Sequence, residues 1–554
     1  MKTGIILLFI LFLMVNMGLK AQTPEWQWAI DAGGTGADRG FNIYIDDSNN
    51  CYVTGYFEGT ATFGSYSLTS SGNKDIYVAK ADADGTWQWA SRAGAANGID
   101  MGRAIAMDGN GNIYVTGQFA NTADFGSYSL TSNGMEDIFV AKLDQNGIWQ
   151  WAVSAGGTGF DMGGDISIDD NENLYITGGC ETATFGPYSI TSAGGTDIYV
   201  AKLDNEGNWL WATGVVGSSA YEYSWGIVLD GTGNPYITGY FKETAVFGSY
   251  SITSSGSEDI FVAKIDQNGT WQWATKAGGS SWDFGYDIAI DEAANCYVTG
   301  KFSSTANFGT GSLTSSGSYD VFVAMIDANG VWQWAAGAGG TGMDCGYKIT
   351  LDDAENSYLT GDFRETATFG SDTFSSSGEN DIFVAKADAN GIWQWAVQAG
   401  GVGWDLGFGI ALDNEANCYL TGLFEDTSTF GSYSFTSSGE EDIFVAKLGS
   451  PVSSDPEIIL DAFSLSNFPN PFNPETTIEF SIEQNQQNEQ IELEIYNFKG
   501  QKIKTIPVIL SGVEGSVIWN GTDNSDQPVS SGIYLYKLNV NGKTEAVKKC
   551  LLLK

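Results

Sequence analysis

Apolar and polar residues alternate with a period of two along most of the chain, in short runs separated by polar turns. One unit of the pattern holds the runs 410–413, 418–422 and 442–447. Such alternation is typical of strands with one buried face. The turns often read Asp-x-Asn-Gly, as at Asp144–Gly147, and place a glycine where a hairpin needs left-handed backbone. The pattern therefore predicts antiparallel sheet rather than helix.

Two motifs divide the chain into repeats. W-x-W-A begins at Trp26, Trp87, Trp149, Trp209, Trp271, Trp332 and Trp393. D-[IV]-[YF]-V-A begins at Asp75, Asp137, Asp197, Asp259, Asp320, Asp381 and Asp442. The repeat length is about 61 residues, and four short strands fill that length, as in one propeller blade. The count of seven predicts a seven-bladed β-propeller over residues 22–448, in an all-β chain.

The two ends of the repeat region predict how the ring closes. The region opens with a lone fourth strand, Trp26–Ala29, and ends with a third strand, Asp442–Lys447. The last blade therefore lacks its outer strand, which the first residues can supply. Such sharing removes the exposed sheet edge that a linear array would leave.

The repeat also resembles a known family. The runs N-x-Y-[VIL]-T-G, F-G-S-Y-S-[LIF]-T-S-x-G and D-I-F-V-A-K-L-D-x-N-G are similar to the bacterial SBBP β-propeller repeat. The resemblance covers residues 25–447 and implies the propeller fold. It implies little about activity.

A second domain follows a Pro- and Ser-rich linker at 449–457. Residues 458–554 hold roughly seven short strand-like runs, the profile of an immunoglobulin-like sandwich. The runs F-P-N-P-F-N-P, W-N-G-T-D, P-V-S-S-G-I-Y and K-K-x-L-L-L-K resemble the C-terminal sorting domain of type IX secretion substrates, and the related FlgD-like sandwich. That resemblance implies a Bacteroidota-like source, the type IX machinery as a partner, and a secreted or cell-surface location. A plain stalk or adhesive sandwich is the alternative.

Composition narrows the possible partners. Residues 1–21 read as a signal peptide, and no other stretch is long enough to span a membrane. The formal charge of −42 argues against nucleic acid as a partner. The six cysteines recur at positions too far apart for disulfides, and we expect them to be small buried hydrophobes.

The absence of histidine excludes the usual hydrolytic triads and makes common zinc sites improbable. Carboxylates remain as candidate chemistry. One acid precedes the first strand of each blade: Asp38, Asp100, Asp161, Glu222, Asp283, Asp344 and Asp405. These acids either form a cation or ligand site at one mouth of the channel, or cap their own turns through backbone N–H groups.

The residue before each acid varies along the chain, and three of these residues are Tyr221, Trp282 and Trp404. Aromatic rings at a funnel mouth suit stacking on sugars, but they could equally be wedges between blades. The Asp-rich turns leave calcium possible, although they lack the closing Glu of an EF-hand loop, and no other cofactor is expected.

The sequence thus favours a non-catalytic surface module that binds polysaccharide or surface proteins, or acts as a scaffold. The alternative is a polysaccharide-degrading enzyme that works through carboxylates. Its site would lie in the fourth blade, where Glu222 replaces Asp and aromatic residues crowd the same loop.

Overall fold

The structure is a computed structural model that describes residues 23–217, 221–309, 311–450, 465–481, 491–497, 499–508, 514–540 and 543–553. The predicted signal peptide and most of the predicted linker lie outside these residues. Every regular element of the described part is a β-strand, and the chain divides into two compact units at residue 451.

Seven four-stranded antiparallel sheets make up the described part of the larger unit. The first to third sheets use β2 Arg39–Ile45, β3 Cys51–Phe63, β4 Tyr66–Ala81, β5 Trp87–Ala95, β6 Met101–Met107, β7 Ile113–Phe125, β8 Tyr128–Leu143, β9 Trp149–Gly157, β10 Asp161–Ile168, β11 Leu174–Cys180, β14 Asp197–Leu203 and β15 Trp209–Gly214, with the short β12 Ala183–Phe185 and β13 Tyr188–Ile190. The others use β16 Tyr223–Leu229, β17 Pro235–Phe247, β18 Tyr250–Ile265, β19 Trp271–Gly279, β20 Asp283–Ile290, β21 Cys296–Phe302, β24 Asp320–Ile326, β25 Trp332–Gly340, β26 Cys345–Leu351, β27 Ser357–Phe369, β28 Asp372–Ala387, β29 Trp393–Gly401, β30 Leu406–Leu412, β31 Cys418–Phe430 and β32 Tyr433–Gly449, with β22 Thr305–Phe308 and β23 Gly311–Thr314.

The last sheet is completed by the start of the chain. Strand β1, Glu25–Gly34, pairs antiparallel with β32, from Trp26 opposite Leu448 to Ala32 opposite Ile443. Closure by a shared sheet is therefore confirmed. The hydrogen bonds of this pairing join residues more than 400 positions apart in sequence.

The outer part of each sheet differs from the prediction. The sequence pattern predicts short second and third strands, such as 418–422 and 442–447, but in most blades these strands extend further and join as one long hairpin that turns within the F-G-S-Y-S stretch. Gly64 turns the first hairpin with a φ of 58°, which a residue with a side chain rarely adopts. The preceding Phe63 is fully buried against Trp87, at 5.3 Å between ring centroids.

The tryptophans of W-x-W-A connect neighbouring sheets. The indole of Trp87 donates a hydrogen bond to the carbonyl of Asp31 in the preceding sheet, at 3.1 Å. The indole of Trp89 donates to the carbonyl of Gln145 in the following sheet, at 3.2 Å. Each motif therefore contacts the blades on both sides.

The smaller unit is a two-sheet sandwich. Its strands are β33 Leu465–Phe468, β34 Thr476–Ser481, β35 Ile491–Asn497, β36 Lys502–Pro507, β37 Glu514–Trp519, β38 Gly532–Val540 and β39 Lys543–Leu552. Strands β33, β34 and β37 form one sheet, and β36, β35, β38 and β39 form the other. Trp519 is fully buried in the core, where it contacts Phe472 and Tyr534.

All six cysteines are buried free thiols, which confirms the sequence interpretation. Among the described residues, no helix has the length and apolar character needed to cross a membrane.

Candidate functional site

The seven acids lie between neighbouring blades rather than on an open surface. The Asp38 carboxylate accepts a hydrogen bond from the backbone N–H of Gly34 at 2.7 Å and another from that of Glu58 at 2.9 Å. Gly34 belongs to β1 of the last sheet and Glu58 to β3 of the first, so one carboxylate joins two blades. Asp161 and Asp344 repeat the pattern.

All seven of these side chains, including that of Glu222, are fully buried. As they stand, the seven acids do not present an accessible ring at the channel mouth, and a cation or ligand role for them stays a prediction. The observed geometry matches the second alternative from the sequence, in which the acids accept hydrogen bonds from backbone N–H groups. The acids are buried because the chain reaches the channel only three residues after each acid, within the first strand of the blade. Burial raises the pKa of Asp38, Asp100, Asp161, Asp344 and Asp405 to about 7, and that of Asp283 to about 6.

The residues before the acids form an exposed rim on the same face of the propeller. Tyr221, Trp282 and Trp404 are 63%, 49% and 48% exposed. Ile99, Phe160 and Met343 are also exposed, whereas Ala37 is buried. The three aromatic residues are thus accessible rather than wedged, and their contact with a ligand stays a prediction.

The channel itself is lined by the residue three positions after each acid. These residues are Phe41, Arg103, Gly164, Trp225, Tyr286, Tyr347 and Phe408, one from each first strand. With Asn42 and Lys348 they enclose a cavity of about 210 Å³. We call this cavity the aromatic mouth.

The rings of the aromatic mouth contact one another around half of its circumference. Phe41 lies 5.5 Å from Phe408 between ring centroids, and Phe408 lies 5.0 Å from Tyr347. Tyr347 in turn lies 5.4 Å from Tyr286. These edge and tilted contacts favour a fixed arrangement of rings.

Arg103 is the cation of the aromatic mouth. Its guanidinium lies over the Phe41 ring, 4.7 Å from the centroid, and its Nε donates to Gln118 Oε1 at 3.1 Å. Gln118 in turn donates to Glu136 at 3.1 Å, so the Gln118 amide links the Arg103 guanidinium to the Glu136 carboxylate. Burial lowers the pKa of Arg103 to about 10, and the side chain stays charged at neutral pH.

A layer of buried charge lies below the rings and closes the channel. Lys348 extends across the channel to Asp287 at 3.0 Å and to Asp165 at 3.5 Å. The two carboxylates also accept backbone N–H groups of neighbouring blades, from Ile349 and Ile227. A second cavity of about 460 Å³ lies beyond this layer and is lined by residues of the seven first strands.

The Asp-rich turns considered for calcium are internally satisfied. The Asp46 carboxylate accepts bonds from two backbone N–H groups and from the side chains of Asn50 and Tyr52. In the part of the chain that the structure describes, no group of three or more acid, cysteine or histidine side chains is placed to hold a metal ion.

Sequence reasoning missed the aromatic mouth, apart from noting Trp225 near Glu222. The signal was available as variation within the repeat. The acid is nearly constant, but the residue three positions later reads Phe, Arg, Gly, Trp, Tyr, Tyr and Phe along the chain. A position that varies inside a near-constant repeat is not fixed by the fold.

Comparison with known proteins gives two family matches. Residues 88–118 match the SBBP β-propeller repeat, and residues 467–545 match the FlgD Ig-like domain. An uncharacterised WD repeat-containing protein of Acanthamoeba polyphaga mimivirus is 25% identical over 499 residues. That alignment covers 72% of this chain but only 36% of the viral protein, so the chain spans about a third of that relative.

Two solved structures are similar at low identity. PorZ, a surface component of the type IX secretion system of Porphyromonas gingivalis, is 12% identical, with a TM-score of 0.36, over 94% of this chain and 60% of PorZ. The WD40 β-propeller domain of Doa1 is 9% identical, with a TM-score of 0.39, over 78% of this chain and 98% of that domain. Strand pairing shows an all-β chain, in which one stretch of the larger unit is similar to the SBBP β-propeller repeat and most of the smaller unit is similar to the FlgD Ig-like domain.

Proposed function

We propose that the propeller is a non-catalytic glycan-binding module whose site is the aromatic mouth. The observation that carries the proposal is the ring of five aromatic side chains around one cavity. Apolar ring faces pack well against the C–H faces of sugars, while a few polar groups at the edge set orientation. A cavity of about 210 Å³ has room for one sugar ring.

The exposed rim extends this site outward. Trp282 and Trp404 lie on the loops that lead into the first strands, beside the aromatic mouth. If one sugar unit of a polysaccharide binds in the aromatic mouth, the neighbouring sugar units can contact the exposed rim. The alternative partner, a surface protein, would instead bury much of the exposed rim.

The enzyme alternative has less support in the geometry. Its proposed acid, Glu222, is fully buried, and its backbone N–H donates to the carbonyl of Thr196 at 2.8 Å. General acid catalysis requires the carboxyl to reach the bond that breaks. Binding without hydrolysis is therefore the function that we propose.

We also propose that the C-terminal sandwich directs export through type IX secretion, after a signal peptide takes the chain across the inner membrane. Two observations support this proposal: the terminal residues resemble the sorting domain of type IX secretion substrates, and two of their basic side chains are exposed. Strand β39 lies at a sheet edge, with Lys548 and Lys549 exposed and Cys550 buried. The basic side chains are accessible to a receptor while the apolar ones hold the strand in place.

Binding is tested by titrating the full mature chain with a panel of neutral and acidic oligosaccharides, scoring both heat of binding and released reducing ends. We expect binding without product, and at least about a tenfold loss of affinity in Trp225→Ala, since stacking on an aromatic ring contributes about 1–3 kcal/mol by alanine substitution in the case of nucleic-acid bases. New reducing ends would replace the binding proposal with the enzyme. A panel in which nothing binds would contradict both.

Export is tested separately by expressing the chain in a bacterium that has a type IX system. Deletion of residues 465–554 is expected to leave the propeller in the periplasm, whereas the full chain reaches the surface or medium. Surface display of the truncated chain would contradict the sorting role.

A further inference from the structure

Arg103 and Lys348 are both cations of the central channel, but only Lys348 has carboxylate partners. Lys348 contacts Asp287 and Asp165, with exposures of 20%, 3% and 8% for the three side chains. The one hydrogen bond of Arg103 in the described part of the chain goes from Nε to a neutral amide. A largely buried cation without a direct counter-ion is costly, and folded proteins normally pair it.

The second unmatched donor belongs to a residue that lines the same cavity, Trp225. The Nε1 atom of Trp225 is buried and has no hydrogen-bond partner among the described residues. Most indoles of the W-x-W-A motif donate to carbonyls of neighbouring blades. Those of Trp271 and Trp334 are buried and unmatched among the described residues, as that of Trp225 is, but of the three residues only Trp225 lines the cavity.

Gly164 separates these two donors along the ring. It occupies the lining position of the third blade, between Arg103 of the second and Trp225 of the fourth. A Cβ atom there would lie 2.6 Å from the carbonyl oxygen of Ser224, so a larger residue does not fit without movement. The lining position between the two donor residues therefore carries no side chain.

We propose, building on the glycan-binding function, that the aromatic mouth selects a sugar carrying an anionic group, a carboxylate or a sulfate, which binds between Arg103 and Trp225. Guanidinium groups bind such oxygens through parallel charged hydrogen bonds, which are about twice as strong as neutral ones. The buried indole N–H of Trp225 is a further donor once its ring turns toward the ligand. The sugar ring itself rests on the neighbouring aromatic faces.

The distribution of basic residues agrees with this assignment, even though the chain as a whole is strongly acidic. Lys80, Lys142 and their equivalents recur in the repeat, where they lie over tyrosine rings. Arg103 has no equivalent in the other repeats. A cation that lines the cavity, has no direct carboxylate partner and is not part of the blade pattern points to recognition rather than to construction of the blade.

The test compares matched glycans that differ only in charge. The full mature chain is titrated with hexasaccharides of galacturonic acid, guluronic acid and hyaluronan, with a sulfated chondroitin hexasaccharide, and with their carboxyl-reduced or desulfated forms. We expect at least one acidic form to bind about tenfold or more tightly than its neutral counterpart. The preference should decline as NaCl rises.

Arg103→Met should lower the affinity for the acidic form to that of the neutral form. Arg103→Lys should retain part of the preference. The matched control is Arg364→Met, which also removes one positive charge but from an exposed pair with Glu379 outside the cavity. The control should keep the full preference, and melting temperatures verify that each variant is folded.

The outcomes separate the two proposals. Equal binding of every acidic and neutral pair by the wild-type chain overturns the anionic selection and leaves glycan binding intact. Unchanged preference in folded Arg103→Met also overturns the assignment to this residue. Failure to bind any member of the panel overturns the proposed function itself.

Discussion

The acid before each first strand and the residue three positions later are close in sequence but differ in their variation and in their exposure to the channel. Asp38 and its six equivalents are nearly identical in sequence and fully buried. Phe41 and its equivalents comprise five different residue types and line the channel. The acid is repeated because each blade has the same backbone N–H groups, which need an acceptor.

Variation at the second position is what a ring fold permits. Blades are related by rotation about the channel, so equivalent positions meet around one cavity. A binding site for an asymmetric ligand then requires different residues at equivalent positions. The comparison therefore separates residues that join the blades from residues to which we assign ligand binding, and experiments can test it at either position.

The largest effect is expected from removal of a framework acid. Asp161→Ala leaves the backbone N–H groups of Gly157 and Glu181 without their acceptor. Two unsatisfied buried donors cost about 2–6 kcal/mol in the free energy of unfolding. Denaturant unfolding measures the change.

The matched control for this variant is Asp170→Ala, because Asp170 is an exposed acid in the same blade. The control should change stability by less than about 0.5 kcal/mol. Equal stability of Asp161→Ala and Asp170→Ala would show that the buried carboxylate does not hold the blades together.

A smaller effect is expected in the charge layer. Lys348→Met leaves Asp165 and Asp287 facing each other without their cation, and we expect a loss of about 2 kcal/mol, since partial exposure moderates the cost of a broken buried pair. Asp287→Asn in the Lys348→Met background should recover part of the loss. Additive losses in the double variant would contradict the direct contact.

The buried acids should also make the stability of the protein depend on pH. The pKa of Asp38 and four of its equivalents is raised from 3.8 to about 7 in the folded chain. Since the folded state binds the proton more tightly, the stabilising contribution is full below about pH 4 and is lost as pH rises through about 7. We expect a melting temperature several degrees higher at pH 5 than at pH 8.

General repulsion among surface acids would act in the same direction, so the measurement is repeated in high salt. Screening weakens repulsion between exposed charges but affects buried groups much less. A pH dependence that disappears in high salt would assign the effect to the surface instead of to the framework acids.

The sequence predicted the framework well because repetition exposes it. The W-x-W-A and D-[IV]-[YF]-V-A motifs located the third and fourth strands, and the lone Trp26 strand predicted closure onto β32. The aromatic mouth was harder, because alternation places Phe41 and Asp38 in the same region without saying which one reaches the channel. Contacts such as Lys348 with Asp165 join the third and sixth blades and have no local signal.

The smallest effect is expected at the rim, and it tests whether the mouth or the rim dominates binding. Trp282 is about half exposed and lies outside the ring of contacting aromatic side chains, whereas Trp225 lines the cavity. A side chain that stays partly in water gains less from stacking than an enclosed one. We therefore expect Trp282→Ala and Trp404→Ala each to weaken binding of an acidic hexasaccharide by less than about threefold, with a larger loss on longer chains that reach the rim. Titration with oligosaccharides of increasing length measures both effects. A loss in Trp282→Ala equal to that in Trp225→Ala, already at the shortest length bound, would move the site from the mouth to the rim.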